Sequence, residues 1–177
     1  MINQGSRDGD GGKLQYDNEF WRFSLAVYKP ADVAAECLAL QEAVGLDVNL
    51  LLFCAWLGTC GVVLSRGDIE AASRVVASWH TSVVRPLRSV RRHIKTQYGD
   101  AFENLRSRVK DDELQAEQVE QAMLFAYAQG IQSSADGADR RGAVARNVNE
   151  YISMLSGAAV PVPGAPSLIR AAQLAIK

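Results

Sequence analysis

The stretch DIEAASRVVASWHTSVVRPLRSVRRHIKTQY, residues 68–98, decides the fold. With Val83 at zero and 100° per residue, Ile69, Val76, Trp79, Val83, Leu87, Val90 and Ile94 fall within about 40° of one line, as in a long amphipathic helix. The phase carries through Pro86, so the segment reads as one long helix kinked at the proline, or as two coaxial pieces sharing a buried face. On the same wheel Arg74, Arg85, Arg88, Arg92 and Lys95 lie between about 120° and 200°, a basic stripe opposite the core.

The flanking segments keep the same period. Gly99 closes the long helix, and Asp100 with Glu103 suggests a capping box for a helix carrying Phe102, Leu105 and Val109. An acidic turn follows, and from Asp111 a further helix runs to about Gln129, with Glu113, Glu117 and Glu120 on one face. Upstream, Asp17 suits the cap of a helix ending near Tyr28, Pro30 the first position of a second, and Asp47 the cap of a third, Val48 to about Cys60. Ser133 to Asp139 reads as a loop, after which Val144, Val148, Tyr151 and Leu155 mark a helix stopped by Gly157. No stretch alternates apolar and polar residues as a half-buried strand would. The expectation is an all-α, single-domain bundle of about six or seven helices over 17–157. Before it stands a floppy, glycine-rich tail, 1–16. After it come an Ala/Pro linker, 158–166, and a short amphipathic helix, 167–177, capped by Ser167 and either docked on the body or free for a partner.

The chain has 177 residues, enough for one domain with a sizeable core. At 48% hydrophobic and 22% charged it is an ordinary globular composition, which excludes wholesale disorder and fibrous classes. The net charge of −1 provides no global field for nucleic acid or anionic membrane. The uncharged run Leu50 to Leu64 is 15 residues long, too short to span a bilayer, and reads as a buried helix. Cys37, Cys54 and Cys60 are odd in number and lie in apolar stretches, which suits small buried thiols in a reduced cytoplasm. The tail, with no apolar region after a basic start, does not read as a signal peptide.

Four blocks carry a resemblance: Phe20-Trp21-Arg22-Phe23-Ser24-Leu25; Cys37-Leu38-Ala39-Leu40-Gln41; Gly45-Leu46-Asp47-Val48-Asn49-Leu50-Leu51-Leu52-Phe53-Cys54-Ala55-Trp56; and Val84-Arg85-Pro86-Leu87-Arg88. Together they resemble a bacterial family of small proteins of unknown function over roughly residues 17–125. The resemblance implies a short helical cytosolic protein and brings no activity with it.

The strongest candidate site is the basic face Arg85, Arg88, Arg92 and Lys95. Between Ser65 and Lys110 there are ten cations and four acids, whereas Asp111 to Glu120 carries five acids and no base. That face suits a macromolecular partner, a protein ahead of nucleic acid or a phospholipid head group, because no aromatic residue interrupts Arg85 to Lys95 to stack on bases. The bland reading is a salt-bridge lattice between neighbouring helices. Self-association through the near-heptad stripe stays open. A second candidate is an apolar-ligand pocket between the first and third helices, lined by Trp21, Tyr28, Gln41, Asn49, Cys54 and Trp56. As plain structure, the aromatics would be core and the two amides would tie helix ends together.

Neither cofactor nor metal is expected. His80 and His93 are the only histidines, neither follows a glutamate by three residues, and no zinc ligand doublet exists. Gly58-Thr59-Cys60-Gly61 lacks the lysine of a phosphate-binding loop. The balance leans away from an enzyme towards a non-catalytic interaction or regulatory module. A histidine in a cleft with a carboxylate at hydrogen-bond distance would reopen that question.

Overall fold

The computed structural model describes residues 14–131, 139–156 and 164–176, and among them every regular element is helical. The elements are α1 (Glu19–Tyr28), α2 (Ala31–Val44), α3 (Val48–Thr59), α4 (Arg66–Trp79), α5 (Arg85–Tyr98), α6 (Glu103–Ala128), α7 (Arg140–Leu155) and α8 (Pro166–Leu174). The protein is all-α, as its periodicity foretells. The 1–13 part of the tail, most of the 133–139 loop, Gly157, 158–163 of the linker and Lys177 lie outside the described residues.

Helix α3 is the axis of the bundle. It is apolar on every side, and every residue from Asn49 to Gly58 is buried. Helix α7 lies closest to it, because Gly58 presents no side chain. Around α3, Phe20 stacks on Trp56 at 5.2 Å between ring centroids and meets Phe53 edge-on at 5.6 Å. Asn147 of α7 is fully buried: its Oδ1 accepts from the Leu64 N–H at 2.9 Å, and its Nδ2 donates to the carbonyls of Cys54 and Val62 at 3.1 and 2.9 Å. It ties α7 to α3 and to the turn leaving α3.

Helices α4 and α5 are one rod joined by a π-turn, His80–Val84, in which the Arg85 N–H donates to the His80 carbonyl. Pro86 follows at once. Its ring crowds the carbonyl four residues earlier, and a wider turn makes room for it. The extra residue rotates everything after it by about 100° relative to an unbroken α-helix, which takes Arg88 from about 140° to about 40° from the buried line. Ile69, Val76, Val84 and Ile94 are buried, Val83 and Leu87 are half-buried, and Val90 has turned outward, 49% exposed. Arg88 and Arg91 have turned inward in its place. The expected stripe on one outer face is therefore corrected: Arg85, Arg92 and Lys95 are exposed, Arg88 is not.

Smaller expectations also change. Asn18, not Asp17, caps α1 by accepting from the Trp21 N–H. Pro30 is the cap of α2 and not its first residue. The acidic turn at Asp111 does not exist, since α6 runs 26 residues without a break. No glycine or proline interrupts that segment, so nothing stops propagation. Asp100 and Glu103 pair with Lys95 and Arg106 instead of forming a capping box. The C-terminal helix is docked, with Leu168 and Ala172 fully buried. Ser167 does not cap it: the Glu36 carboxylate of α2 accepts from the Ser167 and Leu168 N–H groups at 3.1 and 2.9 Å. A carboxylate there also suits the positive end of the helix.

Candidate functional site

A cavity of about 490 Å³ opens between α1, α2, α3, α5 and α6. Its wall is mostly apolar, and Leu25, Leu38 and Leu114, three of the large apolar side chains the molecule leaves exposed, surround its mouth. Of the expected pocket residues, Trp21, Tyr28, Gln41 and Asn49 line it. Cys54 and Trp56 do not. They lie on the inner sides of α3, Cys54 wholly buried and Trp56 between Phe20 and Phe125, so these two expectations are corrected.

The polar wall is supplied by α5 and α6. Arg88 Nε donates to Glu113 Oε1 at 3.0 Å and its Nη2 to Glu117 Oε1 at 2.6 Å, while Arg91 Nε donates to Glu113 Oε2 and its Nη2 to Glu113 Oε1 at 3.1 Å. The lattice reading of the charges thus holds for Arg88. Arg92 faces Glu42 at 3.7 Å, and Lys95 is held by Asp100 at 2.8 Å. Lys29, Arg92 and Lys110 also line the cavity, giving five cationic and two anionic side chains. Two buried oxygens of lining residues, Ser24 Oγ and Gln121 Oε1, have no hydrogen-bond partner among the described residues. Such atoms cost about 1–3 kcal/mol each when left unmet.

Glu113 titrates below its ordinary value of 4.5, because burial, which raises it, is outweighed by the hydrogen bonds and charges of Arg91 and Arg88. Glu117 moves the other way, since burial exceeds its attraction to Arg88. A depressed carboxyl gives stability that is full above its unfolded value and is lost as pH falls through the folded one. Glu113→Gln is therefore expected to flatten the loss of stability below about pH 4.5 in urea denaturation followed from pH 7 to pH 3. Identical acid limbs for variant and parent would contradict this pair.

A chain of polar side chains leads inward from the cavity. Gln121 Nε2 donates to Asn49 Oδ1 at 2.8 Å, and Asn49 Nδ2 donates to Glu120 Oε2 at 2.9 Å. Glu120 Oε1 meets His80 Nδ1 at 3.0 Å, and Asp47 Oδ2 lies 3.2 Å from the same nitrogen. Burial and the neighbouring Glu120 push the Asp47 carboxyl well above its usual range. Burial alone would lower His80, but the bond to Glu120 and the charge of Asp47 raise it overall. Beyond His80 is a second, more polar groove of about 780 Å³, bordered by Asp47, His80, Arg85, Arg88, His93 and Tyr151. The histidine is thus in a cleft with a carboxylate at hydrogen-bond distance.

The family described as Protein of unknown function (DUF2390) matches residues 19–124 of this chain. The chain belongs to that family. No curated protein and no solved structure matches it. Every residue lining the cavity, from Trp21 to Gln121, lies within the matched segment, as do Asp47, His80 and Glu120. Tyr151 and Asn147 lie outside it.

In sequence Asp47 reads as a helix cap, Glu120 as one of three glutamates on a helix face, and His80 as a histidine without metal-ligand spacing. Their meeting is tertiary, across 40 residues between His80 and Glu120, and no spacing rule announces it. The one signal in sequence is that Asp111 to Glu120 carries five acids and no base, so their partners have to come from another element. The thiols are mixed. Cys37 and Cys54 are buried, with burial pushing Cys37 up to about 12, whereas Cys60 is exposed, contrary to expectation.

Proposed function

We propose that the protein binds a small amphipathic anion, an apolar tail with an acidic head, in the cavity between α1, α2, α3, α5 and α6. The observation that carries this reading is a mostly apolar cavity whose charged wall sets five cations, Lys29, Arg88, Arg91, Arg92 and Lys110, against two acids, Glu113 and Glu117. The volume falls within the range of sites for drug-sized ligands, and exposed leucines gathered at one mouth are what an apolar tail needs. The cationic surplus favours an acidic head over a basic one. Four of the six expected pocket residues support this reading.

The reading as a module for a macromolecular partner has less support. Of its four cations, Arg88 is committed to Glu113 and Glu117, and Lys95 to Asp100. Free cysteines suit a cytoplasmic location, and no helix of the described residues is long and apolar enough to cross a membrane.

Titration with dodecanoate, followed by the fluorescence of Trp21 and by calorimetry, tests the proposal. One saturable site is expected, weakened about tenfold by Leu25→Glu, a loss of about 1.4 kcal/mol, and unchanged by the matching Leu174→Glu on the distant α8 surface. Absence of a saturable site, or equal affinity for dodecyltrimethylammonium, would overturn it.

A further inference from the structure

Asp47, His80 and Glu120 come from three different parts of the fold: the cap of α3, the first residue of the π-turn, and the middle of α6. Each offers one ligand atom, and those atoms lie within 4.8 Å of one another. We propose that these three residues form a binding site for a single divalent transition-metal ion, with the polar groove supplying its open coordination positions.

The argument begins with the convergence of the ligand atoms. His80 Nδ1 stands 3.0 Å from Glu120 Oε1 and 3.2 Å from Asp47 Oδ2. Ligands about 2.0–2.1 Å from a tetrahedral ion stand about 3.3 Å from each other, so the triangle needs little change to close on one. The outer oxygens are already occupied. The Asn49 backbone N–H donates to Asp47 Oδ1 at 2.8 Å, and the Asn49 side-chain amide donates to Glu120 Oε2 at 2.9 Å. One residue thereby anchors both carboxylates, and Gln121 fixes the sense of its amide. The Asp47 backbone is held in turn by the Tyr151 hydroxyl, which accepts its N–H at 3.0 Å. Outer partners that pin one oxygen of each carboxylate and leave the other aimed inward are what orients metal ligands.

Charge points the same way. Glu120 is fully buried, and with both carboxylates ionised against one neutral imidazole the cluster carries two negative charges, which a divalent cation neutralises in place of protons. The donor set, one imidazole nitrogen and two carboxylate oxygens, suits Zn²⁺, Fe²⁺ or Mn²⁺ and lacks the thiolates of a closed structural zinc site. Three protein ligands leave positions for water, and the groove beside His80 and Asp47 gives the ion a way in. This site does not depend on the amphiphile reading: none of its three ligand residues lines the amphiphile cavity, although Asn49 and Gln121 support both and Gln41, Arg88 and Arg92 border both the cavity and the groove.

The test is titration of the chelator-treated full chain with Co²⁺, read by visible absorption and calorimetry, with displacement by Zn²⁺. One equivalent is expected, with a rise in Tm that a chelator reverses. His80→Asn and Glu120→Gln, which keep hydrogen-bonding capacity, are each expected to weaken binding at least about tenfold. His93→Gln, the other imidazole on the same groove, is expected to leave it unchanged. No saturable binding by the parent chain overturns the proposal whatever the variants do, and would mean that protons alone balance the cluster. Retention of Co²⁺ by folded His80→Asn and Glu120→Gln, or its loss in His93→Gln, overturns it equally.

Discussion

Gly58→Ala is expected to destabilise the protein by about 2 kcal/mol or more, although alanine is the better helix former by about 1 kcal/mol. A Cβ at Gly58 would stand 2.5 Å from Val144 Cα and 2.6 Å from Val144 N. Both are backbone atoms, so no rotamer change relieves the overlap, and α3 and α7 must move apart. Valine at the same position is expected to prevent folding at ambient temperature. Urea denaturation gives the answer directly. An alanine variant more stable than the parent would mean that the two helices do not pack as described.

Asn147→Leu is expected to cost about 3–4 kcal/mol, near the top of what single substitutions do. Leucine fits the volume roughly but strands the Leu64 N–H and takes a donor from the Cys54 and Val62 carbonyls, all in the interior. Each unmet buried group costs about 1–3 kcal/mol. The nearby exposed Asn149→Leu serves as the control and is expected to stay within about 0.5 kcal/mol. Equal effects at both positions would show that Asn147 is not the tie between α7 and α3.

Much of the fold was readable because it rests on period and capping, which are local. The all-round apolar character of Leu50–Leu57 placed α3 at the centre, and Gly99 does end its helix, at positive φ. Pro86 announced an irregularity in the long rod. What it could not announce was whether the chain would kink, break or absorb an extra residue. Only the last alternative, the π-turn, turns Arg88 and Arg91 towards α6. A wheel drawn at a constant 100° puts those arginines on the wrong side, and an interface proposed from that wheel inherits the error.

The sites were half legible for a related reason. Trp21, Tyr28, Gln41 and Asn49 were recognisable as apolar or amide residues on the first three helices, so a cavity among them followed from their faces. Its charged wall did not, because it depends on the turned α5. The Asp47, His80 and Glu120 cluster joins a capping residue, a histidine near a proline and one glutamate of an apparent surface face. Each had an adequate local explanation. Glu36 behaves similarly: an ordinary acid on α2 in sequence, it is the cap of α8 in space.

Native mass spectrometry of the chain, gently purified from its own cells, tests ligand binding most directly. The account predicts a species heavier than the 19.2 kDa polypeptide by roughly a few hundred daltons, released on denaturation and carrying an acidic group, with far less retained by Leu25→Glu. A bare polypeptide that also fails to retain added dodecanoate would contradict it.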